Sequence, residues 1–141
     1  MTRRVRVTLA GCLAAMLVIG CSSSRPTQAE PTKEEQAIEH VAQAYREAAT
    51  ALQRGPANEQ EIKPYLKQHG DPDKVLISPS DGQHYQFVWG VNPGRPSKSL
   101  MGKRFVIYEK TGKDGKRYAV DMMLKVQHVS DSEFANAQGP K

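Results

Sequence analysis

The stretch TKEEQAIEHVAQAYREAATALQR, residues 32–54, decides the fold, because it holds the clearest helical pattern in the chain. Thr32 and Glu35 form a capping box, in which two side chains satisfy free backbone amides at the start of a helix. Apolar residues then follow at the spacing of one helical face: Ile38, Val41, Ala42, Tyr45, Ala48, Ala49 and Leu52. The sequence therefore predicts a long amphipathic helix over Thr32–Arg54.

The end of this helix has its own signals. Arg54 supplies a cation, Gly55 is suited to a left-handed cap and Pro56 cannot continue a helix. The many alanines of the helix indicate close packing against a sheet or a second helix. Asn58 to Glu61 repeats the capping signal, which predicts a shorter helix next.

The following residues predict turns and a first strand. Asp71-Pro72-Asp73 and the segment 78–82 (Ser-Pro-Ser-Asp-Gly) are rich in turn-forming residues. Between them, residues 75–77 (Val-Leu-Ile) form a short apolar run that predicts a buried strand.

The second half of the chain changes to strand periodicity. Gln83 to Val91 alternates, with Tyr85, Phe87, Trp89 and Val91 on the predicted core face. The aromatic members of this face could instead form a binding platform, although an alternating stripe of this kind is more often core.

Further strands are predicted over Arg104–Lys110 and Arg117–Val129. An Asp-Gly hairpin turn at 113–116 joins them. Ser130 and Glu133 then predict one capped helical turn that runs to Ala137. This order predicts an α+β domain, with one long N-terminal helix packed on a small antiparallel sheet, a meander.

The residues before this domain have the order of an export signal. Three arginines precede an apolar run of 13 residues, Val7–Ile19, which is shorter than the roughly 20 residues that span a bilayer. Val18-Ile19-Gly20-Cys21 resembles the lipobox of bacterial lipoproteins. This resemblance implies cleavage between Gly20 and Cys21, acylation of Cys21 and stable attachment to a membrane.

The lipobox also implies a location and a domain organisation. Ser22, where some lipoproteins have aspartate, favours the outer membrane, with the domain facing the periplasm. The predicted organisation is a signal peptide at 1–20, a flexible tether at 21–31, one α+β domain at 32–137 and a polar tail at 138–141. The tether is polar and contains prolines.

The body of the chain has weaker resemblances. The segments 76–83, 88–90 and 108–118 resemble those of small lipoproteins of uncharacterised function from planctomycete-type bacteria. The order of helix, Ser-Pro-x-Asp-Gly turn and hairpin is similar to the globular half of pilin-like proteins, which implies an assembly subunit. Neither resemblance supplies catalytic residues.

Charge is concentrated in one segment. Three of the 20 basic residues precede Cys21, so the predicted mature chain has 17 basic and 15 acidic residues, a net charge of +2. Residues 92–118 carry eight basic and two acidic residues. Lys113, Lys116 and Arg117 are therefore candidates for contact with an anionic envelope surface. The alternative is that lysines here keep the chain soluble and protect strand edges.

No pattern in the sequence predicts catalysis or a cofactor. Its four histidines lack the converging partners of a zinc site, and no activated serine or cysteine motif occurs. Asp81 and His84 lie near each other, but the turn already accounts for Asp81. We therefore predict no catalytic residues, no metal and no cofactor.

The leading prediction is a lipid-anchored, non-enzymatic envelope protein that acts by binding or structural contact. Its partners would be the membrane, through Cys21, and an envelope protein or anionic polymer, with no nucleic acid. Two alternatives are a small envelope hydrolase and a pilin-like assembly subunit. A polar pocket around Asp81 and His84 would favour the hydrolase.

Overall fold

A computed structural model describes residues 30–93, 95 and 104–138. The predicted cleavage and lipidation site at Gly20 and Cys21 lies outside these residues. The helices and strands, in chain order, are α1 Lys33–Leu52, α2 Glu59–Leu66 with a 3-10 turn Lys67–His69, α3 Pro72–Val75, β1 Gln86–Phe87, β2 Phe105–Tyr108, β3 Lys116–Asp121, β4 Val126–Ser130 and α4 Asp131–Ala137.

The four strands form one antiparallel sheet in the order β1-β2-β3-β4. Each strand therefore pairs with its neighbour in the chain, which is a meander. The helix α1 packs on β3 and β4, and α2 packs beside α1. The predicted α+β class, with a long N-terminal helix on an antiparallel sheet, is confirmed.

The helix α1 begins as the capping box predicts but ends differently. The Thr32 side chain accepts a hydrogen bond from the Glu35 amide at 3.1 Å. The left-handed residue at the other end is Gln53, with φ of 57°, so the prediction of a left-handed cap at Gly55 is wrong. Gly55 is needed for another reason, because a Cβ there would collide with the backbone of Val91.

One face of α1 forms the centre of the core. Its buried residues are Ile38, Val41, Ala42, Ala44, Tyr45, Ala48 and Ala49. Tyr45 is fully buried and donates a hydrogen bond from its hydroxyl to the Val91 carbonyl at 2.9 Å. Leu52, predicted on this face, is only partly buried, because it is the last residue of the helix, where α1 leaves the core.

The predicted strand at residues 75–77 is wrong. Asp71 caps a helical turn with its side chain, and Pro72 occupies the first helical position, where its missing amide costs nothing. Val75 therefore ends α3 instead of starting a strand. Leu76 is buried, whereas Ile77 is 39% exposed and makes only an isolated bridge to His84.

The strand predicted over Gln83–Val91 is regular only at Gln86 and Phe87. The Gly90 amide turns away to bond the Pro56 carbonyl at 2.7 Å, and Gly90 has φ of 78°. The predicted core face is nevertheless right. Tyr85 and Val91 are buried, and the other two members of that face, Phe87 and Trp89, pack against the core.

The long strand predicted over Arg117–Val129 is two strands joined by a turn. Asp121 folds the chain back, because its carboxylate accepts hydrogen bonds from the amides of Met123 and Lys125 at 2.8 and 3.0 Å. Leu124 adopts φ of 59° and buries its side chain in the core. A single carboxylate at the right position thus converts one strand into the hairpin β3–β4.

The C-terminal helix agrees with the prediction. Ser130 accepts a hydrogen bond from the Glu133 amide, and the Glu133 carboxylate accepts one from the Ser130 amide. The Ser130 amide and hydroxyl both donate hydrogen bonds to this carboxylate and hold the pKa of Glu133 below its usual value. Phe134 then stacks on Phe105 with ring centroids 5.7 Å apart, so α4 covers one end of the sheet.

Candidate functional site

The two lysines of the candidate contact sit on the predicted hairpin turn. Asp114 and Gly115 have φ of 53° and 72°, the positive values of a type I′ turn. Lys113 and Lys116 exchange backbone hydrogen bonds at 2.8 and 3.0 Å, and Gly115 accepts one from the Asp131 amide at 3.0 Å. Both lysines are exposed. The turn therefore presents two ammonium groups from a fixed backbone.

Arg117, predicted with these lysines, has a different environment. Its guanidinium donates to the Asp131 carboxylate from Nε at 3.0 Å and to the Lys110 carbonyl at 2.7 Å. It also lies over the Phe134 ring, 4.4 Å from the centroid, and only 13% of the side chain is exposed. Its donors are directed into the protein, so Arg117 fixes α4 and the hairpin turn in place.

A groove of about 480 Å³ lies beside the lysines. Its lining residues are Glu34, Ser80, Lys113, Asp114, Lys116, Tyr118 and His128. Tyr118 and His128 face each other across β3 and β4, and their rings stack at 4.4 Å. This surface therefore combines the ammonium groups of two lysines, two carboxylates and the stacked rings of Tyr118 and His128.

The groove also adjoins the point where the chain enters the domain. The hydroxyls of Thr32 and Tyr118 lie 3.0 Å apart and are hydrogen-bonded. Glu34, in the first turn of α1, lines the groove as well. The start of the domain and the hairpin turn 113–116, which we call the lysine turn, therefore occupy the same end of the molecule.

Sequence reasoning did not place Glu34 or His128 in this site. Glu34 lies about 80 residues before the turn 113–116, and nothing local in the chain signals that α1 begins beside that turn. His128 is opposite Tyr118 only because Asp121 folds the two strands together. A turn recognised at Asp121 in the sequence would have predicted that Tyr118 and His128 pair across β3 and β4.

Asp81 and His84 do not form a catalytic pair. Asp81 accepts hydrogen bonds from the amides of Gln83, Thr111 and Gly112 at 3.0 to 3.1 Å. Burial raises the pKa of the Asp81 carboxyl, but these amide hydrogen bonds outweigh it and lower the pKa overall. His84 is 3.4 Å from the Glu59 carboxylate instead. The carboxylate of Asp81 thus joins the Ser-Pro turn to the hairpin.

A buried polar cluster lies under that turn. Glu109 is fully buried and accepts hydrogen bonds from the Ser78 hydroxyl at 2.6 Å and the Tyr118 amide at 2.8 Å. Burial raises the pKa of the neighbouring Tyr85 hydroxyl. No local pattern predicts this cluster, because its members come from three separate segments.

No family model, curated protein or solved structure matches this chain. Function must therefore be argued from the chemistry of the residues themselves. The resemblance of residues 18–21 to a lipobox, and of the body to small lipoproteins and pilin-like proteins, stays a prediction.

The part of the chain that the structure describes has neither a cluster of metal ligands nor a membrane-spanning helix. There, no three His, Cys, Asp or Glu side chains converge as metal ligands. His40 and His69 stack with ring centroids 4.4 Å apart, as an aromatic pair. Within the same residues, no helix has both the length and the apolar character needed to cross a bilayer.

Proposed function

We propose that this chain is a lipid-anchored protein of a bacterial cell envelope that acts by binding or structural contact. The observation that carries the proposal is the sequence Val18-Ile19-Gly20-Cys21, placed directly after a basic and then an apolar segment. Cys21 and Cys12 are the only cysteines, and Cys12 lies in the segment to be removed. Cys21 thus becomes the first residue of the mature protein, with its thiol acylated.

The distance from Cys21 to the domain supports the same proposal. The predicted tether, residues 21–31, is eleven residues long and leads directly to Thr32, which caps helix α1. As a flexible coil, such a tether has an end-to-end distance of roughly 17–20 Å. A domain on this tether remains close to the surface of the membrane, which we take to be the outer membrane, on its periplasmic side.

The chemistry of the described residues favours contact over catalysis. A hydrolase needs a base with a free lone pair within reach of a nucleophile. The carboxylates of Asp81 and Glu109 are instead directed at backbone amides and a serine hydroxyl within the protein. These groups stabilise turns, and we propose no catalytic role for them.

The anchor is tested by Cys21→Ser in the full-length chain, expressed in a bacterium fed a tagged fatty acid. We expect wild-type protein to carry the tag and to float with membranes, and Cys21→Ser to lose both properties. Cys12→Ser is the matched control and should leave both unchanged. Membrane flotation of Cys21→Ser equal to that of wild type would refute the lipid anchor.

A further inference from the structure

The groove lies at the end of the domain where helix α1 begins, next to the proposed tether. Thr32 is hydrogen-bonded to Tyr118, and Glu34 and Tyr118 both line the groove. The far end of α1 is about 30 Å away, since 20 residues rise about 1.5 Å each. An acylated Cys21 therefore brings the groove end toward the lipid surface more readily than the opposite end.

The lysine turn carries an electrostatic cost that an anion would remove. Lys113 and Lys116 oppose each other across a bridge of the hairpin, and like charges directly opposite are unfavourable. Among the described residues, neither ammonium forms an ion pair. The turn itself is braced through Gly115 and Asp131, so the lysines cannot separate by moving the backbone. A phosphate placed between the two ammonium groups would reduce their mutual repulsion.

The groove is not uniformly basic. Glu34 and Asp114 line it together with the two lysines, so the four charges cancel. A ligand with a net negative charge would be attracted by the lysines and repelled by the carboxylates. A ligand that carries a phosphate and an ammonium a few bonds apart can place its phosphate against the lysines and its ammonium against the carboxylates. Zwitterionic phospholipid headgroups have this chemistry.

We propose that the groove docks the domain on the headgroups of the membrane that holds its anchor, with a phosphate-and-ammonium headgroup as its ligand. The phosphate lies between Lys113 and Lys116, and the ammonium faces Glu34 and Asp114. This inference rests on the proposed anchor at Cys21, because the tether supplies the proximity that a weak surface contact needs.

The test measures whether a thiol in the groove is covered by the membrane. Acylated, mature protein with Ser80→Cys is inserted into the outer leaflet of preformed vesicles, and a water-soluble maleimide then alkylates the single free thiol. Ser80 lines the groove, and its hydrogen bond to Ser78 comes from the backbone amide, which the substitution retains. Ala51→Cys, exposed at the far end of α1, is the control position.

We expect alkylation of Ser80→Cys to be slower in vesicles than in detergent, and that of Ala51→Cys to be equal in both. A lost hydrogen bond to a charged group weakens binding by about tenfold or more. Lys113→Gln with Lys116→Gln should therefore lower the protection by at least about an order of magnitude. Lys67→Gln with Lys74→Gln removes the same charge from exposed positions on the helical side and should have no effect.

The headgroup is tested with vesicles of phosphatidylcholine alone, or with added phosphatidylethanolamine or phosphatidylglycerol. We expect the ethanolamine lipid to protect best, because its ammonium can donate hydrogen bonds to Glu34 and Asp114. Asp114→Asn keeps a residue suited to positive φ. It should weaken protection with the ethanolamine lipid and strengthen it with the anionic lipid.

Two results would overturn the groove proposal while leaving the anchor intact. One is rapid alkylation of Ser80→Cys in every vesicle from protein that still floats with the lipid. The other is protection by an added acidic polysaccharide and by no lipid. Protection only by the anionic lipid would refute the zwitterionic headgroup. Failure of the anchor itself is seen separately, as Cys21→Ser protein that remains bound to membranes.

Discussion

At the scale of single residues, charged side chains here serve mainly to hold turns together. Asp81, Glu109 and Asp121 each accept two or more hydrogen bonds, and most of these come from backbone amides. Arg117 does the converse, donating to the carbonyl of Lys110 and to Asp131. Such residues look like site candidates in a sequence, since the pattern does not reveal where their polar atoms point.

Asp81 provides a prediction with a defined pH dependence. Burial raises its carboxyl pKa, but amide hydrogen bonds lower the net value below the usual 3.8. A lowered pKa means that the ionised form stabilises the fold above the unfolded-state pKa, and that this contribution is lost as pH falls through the folded-state pKa. Asp81→Asn should cost about 1–2 kcal/mol at neutral pH, with a smaller cost below about pH 3.8.

Urea unfolding of wild type and Asp81→Asn across acidic and neutral pH measures this difference. Asp114→Asn, on the exposed hairpin turn, is the matched control and should change stability little. A cost of Asp81→Asn that stays constant from neutral to acidic pH would show that its charge is not what joins the turn to the hairpin.

At the scale of elements, the helix α1 organises the core. Ile38 is fully buried on its inner face, whereas its neighbour Glu39 is exposed. Ile38→Ala should lower the free energy of unfolding by about 2–5 kcal/mol, because it leaves a cavity between helix and sheet. Glu39→Ala should change it by less than about 0.5 kcal/mol. Chemical denaturation of the two variants measures both, and similar losses would mean that the inner face is misassigned.

The elements that could be predicted from the sequence are those defined by local signals. The helix α1, the Asp-Gly turn and the capped helix α4 each depend on residues within a few positions of one another. The break between β3 and β4 could not be predicted from alternation, because the pattern continues through the turn while Asp121 bends the backbone. The site was predicted only in part for the same reason: Lys113 and Lys116 are local, whereas the rest of the groove is assembled by the fold.

At the scale of the whole molecule, the position of the groove next to the proposed tether predicts an effect of tether length. Insertion of a flexible Gly-Ser segment of eleven residues before Thr32 doubles the tether. The local concentration of the domain at the membrane should then fall by about threefold. Protection of Ser80→Cys should fall accordingly, while flotation with vesicles stays unchanged. An equal insertion after the last helix is the control, and equal protection with both tethers would mean that docking does not depend on proximity.

The sequential order of the strands also bears on how fast the chain can fold. In a β1-β2-β3-β4 meander every pairing joins neighbours in the chain, and β3–β4 closes a turn of only a few residues. Pairing between segments that are close together in the chain is associated with rapid folding. The docking of α1 onto the rest of the domain requires long closures, as in the contacts of Thr32 with Tyr118 and of Tyr45 with Val91. A hairpin unit can thus form first and receive the N-terminal helix last, which leaves little time for an exposed sheet edge to pair with another chain.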